Sequence, residues 1–473
     1  MSSFLHITRC GVLALAASLA ACAVPDADDS IARSAAESKP VVQGAEGPLT
    51  PAASDALIKR LGSGAEGSEI LQRHLQVEEG VAGSPLTTDN AVEVLRDGDQ
   101  TFAAIGAAIS GARQTLNLEY YTIEDVTLQT PDGNARALAD MLVAKLQQGV
   151  SVNIIYDSYG SSDTPGAFFE RLEKAGAKLL SFHPIDPNPA NVINGNDRDH
   201  RKILVADGRV AVIGGVNLSK SYESKSPGSD DEDGEEDPQT GLPRHWRDTS
   251  IRIEGPAVAE IQKLFFVHWS EEGGAKIDQA PYFPKQQAKG GHIVRVIGST
   301  PKQDVSRYYV TLISALRSAE RKIWISNAYF VPTPDEMEAL LDAARRGVDV
   351  RVMVPEQSDS PPAVEAARSH YSDLLEAGVK IFETRDVVLH SKTVTIDGVW
   401  SAVGSSNFDH RSVLFNDEID AVILGKQTAE DLEAIFKEGE QTSNRIDQAS
   451  WEAQRGFGER VRGFWSRMME GLL

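Results

Sequence analysis

From residue 101 to 182 the apolar positions fall into a repeating order of helix and strand. A helix-spaced run, Phe102 to Ala112, precedes a strand-length run, Leu116 to Tyr121. A helix, a glycine and a strand then follow twice: Leu142 to Gln148, Gly149 and Val152 to Tyr156, and again around Leu172, Gly176 and Lys178. The same order returns about 190 residues later, with Tyr309 to Ala319 before Ile323 to Ser326, Leu340 to Arg346 and Gly347 before Val350 to Val354, and Leu375 and Gly378 before Lys380. Each glycine stands where a helix must end before a strand begins. Strands alternating with helices of this length predict βαβ units, hence an α/β lobe. The long period predicts that the whole lobe is duplicated.

Each series ends in the same constellation. The first reads His200-Arg201-Lys202, then Asp207-Gly208, then an apolar run to Gly214-Gly215 and Asn217. The second reads His390-Ser391-Lys392, then Asp397-Gly398, then an apolar run to Gly404-Ser405 and Asn407. A His and a Lys two apart on a strand project from one face. Asp-Gly between two β-rich runs is a tight-hairpin signal. Asp207 and Asp397 therefore read as local structural residues of a hairpin. The small residues before each Asn let a ligand approach the backbone. Each lobe thus offers an imidazole, an ammonium and an amide on one edge. That set suits a phosphodiester, which needs a nucleophile or proton donor, a fixed positive charge and donors to the non-bridging oxygens.

Two copies at identical internal spacing resemble the paired HxKxxxxD motifs of the phospholipase D superfamily, over nearly all of residues 85–450. Within it, Leu118-Glu119-Tyr120-Tyr121 and Arg252-Ile253-Glu254-Gly255-Pro256 are most similar to bacterial cardiolipin synthases. The resemblance implies two similar α/β lobes, each a mixed, mostly parallel sheet flanked by helices, with the active site at their interface. It implies that one His attacks phosphorus to form a phosphohistidine while the other moves protons. His200 is expected as nucleophile and His390 as general acid/base, although the motifs themselves do not separate these roles. Lys202, Lys392, Asn217 and Asn407 are expected to hold the phosphate. An acidic partner for each imidazole is expected at Asp248 and Glu418, each heading a strand. No metal or other cofactor is implied, and no cluster of metal-ligand spacing stands out. The implied activity is transfer of a phosphatidyl group from a phospholipid such as phosphatidylglycerol to an alcohol. Hydrolysis to phosphatidic acid uses the same residues, and a nuclease is the more distant reading.

Charge narrows these readings. The 473 residues carry a net charge of −22, with 69 acidic against 47 basic side chains. Such a surface repels polyanions, so nucleic acid is not an expected partner, and simple adsorption to an anionic membrane is disfavoured too. The N-terminus supplies another route to a membrane. Residues 11–21 form an apolar run too short to span a bilayer but suited to a signal peptide, ending in Leu19-Ala20-Ala21-Cys22. The tetrad resembles a bacterial lipobox, with Cys22 the lipidated residue after cleavage. The only other cysteine, Cys10, would leave with the signal, so no intramolecular disulfide is expected. Ala23 in place of an Asp favours the outer over the inner membrane, facing the periplasm.

The expected organisation is a signal peptide at 1–22, a flexible tether with a short helical segment at 23–84, lobes at 85–280 and 290–450, and an amphipathic C-terminal helix at 451–473. That last segment reads either as packing on the second lobe or as an interfacial membrane helix. The lobes differ by an insertion at 224–243 that contains the acidic run Asp230 to Asp237. It reads as a solvated loop, with a lid or cation-binding loop as the sharper alternative. His183, His245, His268 and His370 read as structural histidines, and Tyr329 as either pocket lining or core.

Overall fold

The strands Thr115–Tyr120, Ser151–Asp157 and Lys178–Phe182 lie parallel, in the registers Thr115↔Ser151 and Asn153↔Lys178, joined by the helices Leu138–Gln147 and Gly166–Ala175. In this computed structural model, which describes residues 24–34, 40–62, 68–184, 196–223, 240–243 and 245–454, the second lobe repeats the arrangement. There Lys322–Asn327, Asp349–Pro355 and Lys380–Thr384 are parallel. The helices before the third strand of each lobe end on Gly176 (φ 106°) and Gly378 (φ 98°), left-handed positions that suit a residue without a Cβ.

The other half of each sheet is antiparallel. Lys202–Ala206 pairs with Thr115–Tyr120, then with Val210–Gly214, which pairs with Thr249–Glu254. Lys392–Ile396, Trp400–Gly404, Asn416–Leu424 and His292–Ser299 follow the same plan. The sheets are mixed, as expected, but their parallel share stops at three strands per lobe. The reason lies in the motif, because strands joined by a two-residue hairpin can only run antiparallel.

One strand, Thr87–Arg96, pairs with both Thr249–Glu254 and His292–Ser299 and so joins the two sheets. The motif strands are buried on both faces. Leu204 and Ala206 pack into the first lobe's core, while Ile203 and Val205 meet Val403, Ile419, Ala421 and Ile423 of the second lobe. This explains their continuous apolar runs, where a half-exposed strand would alternate. The interface between the lobes is therefore a hydrophobic core, and the polar motif heads emerge at its edge.

Within residues 23–84 the flexible tether expected before the short helical segment is corrected. The helix Ala27–Ser34 buries Ala27 against Tyr309, Val310 and Ile313, the Ala27 amide donates to Asp335 Oδ2 at 3.1 Å, and Asp28 pairs with Arg317. Helices Pro51–Gly62 and Ser68–Val81 follow, with Ile70, Leu71 and Leu75 in the second lobe's core. The fully buried Arg295 meets Glu78 at 2.7 Å. Ala27–Ser34 is short and carries little periodic signal of its own, and it is ordered by the lobe it covers. The signal segment with Cys22, the acidic run and residues 455–473 lie outside the described residues. Of the expected C-terminal helix only 451–454 falls within them, as the end of a helix Gln448–Gln454, with Trp451 against Tyr371 at a ring separation of 4.9 Å. No helix among the described residues is long and apolar enough to cross a membrane.

Candidate active site

Two short parallel pairings cross from lobe to lobe. Arg198–Asp199 pairs with Asn416 and Asp417, and Trp246–Arg247 pairs with Val388–Leu389. Each pairing delivers a motif histidine and an acid of the other lobe to the same point. The His200 amide donates to the Asp417 carbonyl at 2.9 Å, and the His390 amide donates to the Arg247 carbonyl at 2.7 Å.

The side chains complete two crossed dyads. His200 Nδ1 lies 3.1 and 3.0 Å from the two oxygens of Glu418, and His390 Nδ1 donates to Asp248 Oδ2 at 2.7 Å. Both imidazoles and both acids are buried. Glu418 is further fixed by Ser405 Oγ at 2.5 Å, Ser412 Oγ at 2.9 Å and Asn416 Nδ2 at 3.1 Å. Asp248 stands where Gly215 leaves room, since a Cβ there would lie 2.1 Å from Asp248 Oδ1. The duplicated position in the second lobe is Ser405. Each acid is therefore accommodated by the small residue opposite it.

The lysines are buried beside the histidines and unequally placed. Lys202 Nζ donates to the His200 carbonyl at 2.6 Å. Lys392 Nζ donates to the His390 carbonyl at 2.5 Å and lies 2.9 and 3.0 Å from the two nitrogens of that ring. Asn217 and Asn407 line the same cavity. Asn217 Oδ1 accepts from the Thr122 amide at 3.2 Å, which leaves its NH₂ for a ligand. Asp207 and Asp397 sit at φ 53° in their hairpins, and each carboxylate accepts three backbone amides, of residues 113–115 and 320–322. They hold the hairpin to the preceding strand and do not reach the cavity.

The cavity has a volume of about 1290 Å³ and is lined from both lobes, by His200 and Tyr121 on one side and His390 and Tyr329 on the other. Tyr329 lines it, with its hydroxyl donating to Asp359 Oδ1 at 2.8 Å and its ring edge-on to His390. Thr240, Leu242 and Pro243, the described end of the insertion, form part of its rim.

Sequence spacing missed three groups. Tyr222 contacts both members of the His390–Asp248 dyad. It lies five residues beyond Asn217, as Ser412 lies five beyond Asn407, and that offset was the available signal. Asp359 comes from a loop with no motif around it. The third is a buried charge cluster beneath His200. Arg201 donates to Glu119 at 3.3 Å and to Asp417 at 3.1 Å, and His268 Nδ1 donates to Glu119 at 2.8 Å. Burial opposes a proton on His268, but Glu119 and Asp199 outweigh it and hold the imidazole up to about 9. Glu119, Asp199 and His268 bring their donor atoms within 4.8 Å of one another. Two cations of the chain itself, Arg201 and protonated His268, already occupy this acidic group. It braces the short link between the strands Arg198–Asp199 and Lys202–Ala206 in which His200 sits.

Burial dominates the electrostatics. It pushes His200 down to about 4, helped by Lys202 and opposed by Glu418. Burial raises Glu418, but His200, Lys202 and Ser405 outweigh it, so the carboxylate stays ionised. The resting dyad is thus a neutral imidazole donating Nδ1–H to a carboxylate, with the Nε2 lone pair free for the cavity. Burial likewise lowers Lys202 to about 7 and Lys392 to about 8. A lysine lowered in this way loses its charge as pH rises through those values. We therefore expect kcat/KM to fall on the acid side as His200 takes a proton near pH 4, and on the alkaline side between about pH 7 and 8. The alkaline limb of kcat should lie higher, because a bound phosphate anion helps both ammonium groups keep their protons. Initial rates on a soluble phosphodiester across this range check it, and a flat profile from pH 6 to 10 would contradict it.

Comparison with known proteins agrees with this geometry. Residues 105–226 and 312–439 match the family described as "Cardiolipin synthase, PLD-like domain". A cardiolipin synthase of Geobacillus kaustophilus is 33% identical over 82% of this chain and 74% of its own length. One from Listeria monocytogenes is 35% identical over 75% of this chain and 70% of its own. A phosphatidylserine synthase structure from Haemophilus influenzae shares the fold, at 13% identity and a TM-score of 0.59, covering 84% of this chain and 99% of that one. With two copies of the domain, two intact motifs and one cavity between them, the chain belongs to the phospholipase D superfamily, in its cardiolipin synthase-like branch.

Proposed function

We propose that the protein is a phosphatidyltransferase, which moves a phosphatidyl group from a phospholipid to an alcohol through a phosphohistidine. The observation that carries this is the pair of crossed His–acid dyads opening on one cavity, with a buried lysine and an amide beside each. A phosphodiester placed there meets two imidazoles, two ammonium groups and two amides. Attack by one Nε2 on phosphorus expels the first alcohol, protonated by the other imidazole. The second alcohol then gives its proton to that imidazole and displaces the histidine. A cavity of about 1290 Å³ exceeds the usual range for one drug-sized ligand, which suits two lipid headgroups in succession. The cardiolipin synthases at 33% and 35% identity support cardiolipin as the product, for which phosphatidylglycerol would serve as donor and acceptor.

The same reading places the protein in a bacterial cell envelope, held by a lipid on Cys22 and facing the periplasm, the outer membrane favoured by Ala23. With a net charge of −22, a covalent anchor is the better physical route to a lipid surface than adsorption.

The test is mass spectrometry of lipids after the protein, freed of residues 1–22 and in excess chelator, meets phosphatidylglycerol vesicles. Cardiolipin and glycerol are the expected products. Phosphatidic acid alone would make it a hydrolase, and no lipid change would reject the lipid reading. The intact mass of the full chain extracted from membranes should show a diacylated Cys22 at its N-terminus, and an unmodified Cys22 would reject the anchor.

A further inference from the structure

The two dyads are related by the duplication but are not equivalent. At the duplicated position five residues past the motif Asn, the second lobe has Ser412 and the first has Tyr222. The Ser412 hydroxyl donates to Glu418, and no residue other than Glu418 is within hydrogen-bonding distance of His200 Nδ1 among the contacts of the described residues. Tyr222 is longer and reaches further. Its hydroxyl donates to Asp248 Oδ2 at 3.2 Å, and its oxygen lies 2.8 Å from His390 Nδ1. The phenol is buried and held edge-on by Trp246, whose ring also packs on His390.

The lysines carry the same asymmetry. Lys392 Nζ lies against both ring nitrogens of His390, whereas the contacts of Lys202 are with the His200 carbonyl and the Tyr121 ring. The Lys392 side chain thus crowds the His390 ring at the nitrogen an attack on phosphorus would use. His200 Nε2 has no such neighbour in the described structure. Around His390 stand Asp248 and Tyr222 from the first lobe, Lys392 two residues on, and Asp359 and Tyr329 from the second lobe. Its surroundings are built to give and take protons.

We propose that Tyr222 is a positioning residue which makes the dyads unequal in function: by tying Asp248 to the Nδ1 edge of His390, it commits His390 to proton transfer and leaves His200 to attack phosphorus. This rests on the phosphodiester chemistry proposed above. In the first half-reaction the His200 Nε2 lone pair forms the P–N bond. The P–O bond to the leaving alcohol breaks, and its oxygen takes the Nε2 proton of His390. In the second, the acceptor hydroxyl gives its proton to His390 Nε2 and forms the new P–O bond, and the P–N pair returns to His200. The Nδ1 protons stay on the two imidazoles, hydrogen-bonded to Glu418 and Asp248, throughout. Tyr222 acts by holding Asp248 and the His390 ring in line while the Nε2 proton leaves and returns.

The experiment compares the unsubstituted protein with Tyr222→Phe on methyl 4-nitrophenyl phosphate, whose leaving group departs without a proton, and on phosphatidylglycerol. With the nitrophenyl ester, the burst of nitrophenolate should stay within about 3-fold of wild type, while steady-state turnover falls about 10-fold or more, because only the second half-reaction needs His390. On phosphatidylglycerol both phases should slow, with KM little changed. Peptide mapping after a base-stable quench should find the phosphoryl group on His200, and more of it in Tyr222→Phe. Burst and turnover falling together on the nitrophenyl ester, or no change in either, would overturn the proposal. So would label on His390 in the unsubstituted protein, a result that does not depend on the variant folding. Turnover of the nitrophenyl ester without any lipid turnover would remove the lipid reading and leave this test intact.

Discussion

His200→Ala and His390→Ala should each lower kcat by about 10⁴-fold or more, and the double variant should lose no more than the worse of the two. The two imidazoles serve one phosphorus in one cavity, and each half-reaction uses both. Removing either one therefore removes the shared pathway, and its partner has nothing left to contribute. Independent sites would multiply their losses. The remaining buried groups, Lys202, Lys392, Asn217 and Asn407, would still bind the phosphate, so KM should change far less than kcat. Steady-state kinetics of the three variants, with melting curves to show that they fold, check this. A double variant about 10⁴-fold below either single one would mean two separate active sites. A single variant with a tenth of wild-type activity would remove that histidine from the chemistry.

How much of this could be read from the chain follows from how far each interaction reaches. The two His-x-Lys hairpins, their Asn residues and the duplicated lobes depend on spacing within a few tens of residues, which a sequence displays. Asp248 and Glu418 could be picked out because each stands directly before a β-rich apolar run downstream of its motif. Which acid serves which histidine could not. His200 and Glu418 are 218 residues apart, and His390 and Asp248 are 142 apart. Each pair forms only because short parallel pairings bridge the lobes, and Arg198–Asp199 and Trp246–Arg247 are two-residue strands with no periodic signature. The Glu119–Asp199–His268 group was hidden for the same reason, its members coming from two separate strands and a helix. The N-terminal segment failed differently. Its helices are ordered by the second lobe's surface, a property of the partner rather than of the segment. Tyr222 had a readable offset, but its significance appears only when its counterpart proves to be Ser412.

Glu418→Gln should slow turnover by about 10³- to 10⁴-fold, although it alters the shape of the side chain very little. Glu418 is surrounded by donors: His200 Nδ1–H, Ser405, Ser412 and Asn416 all point at its two oxygens. An amide satisfies only part of this set, because one oxygen becomes an NH₂ that must itself find an acceptor. If it faces His200, Nδ1 must present its lone pair and the proton moves to Nε2, which then turns an N–H toward phosphorus where a nucleophile is needed. If it faces the serines, their hydroxyls must reverse and the imidazole keeps a neutral acceptor in place of a charged one. In both cases the positive charge of a phosphorylated His200 loses its fixed counter-ion. The effect should appear in the first half-reaction, so the burst of nitrophenolate should disappear, in contrast to Tyr222→Phe where it persists. That contrast separates the two dyads by kinetics alone. A Glu418→Gln protein that keeps a full burst would place the attacking histidine in the other dyad.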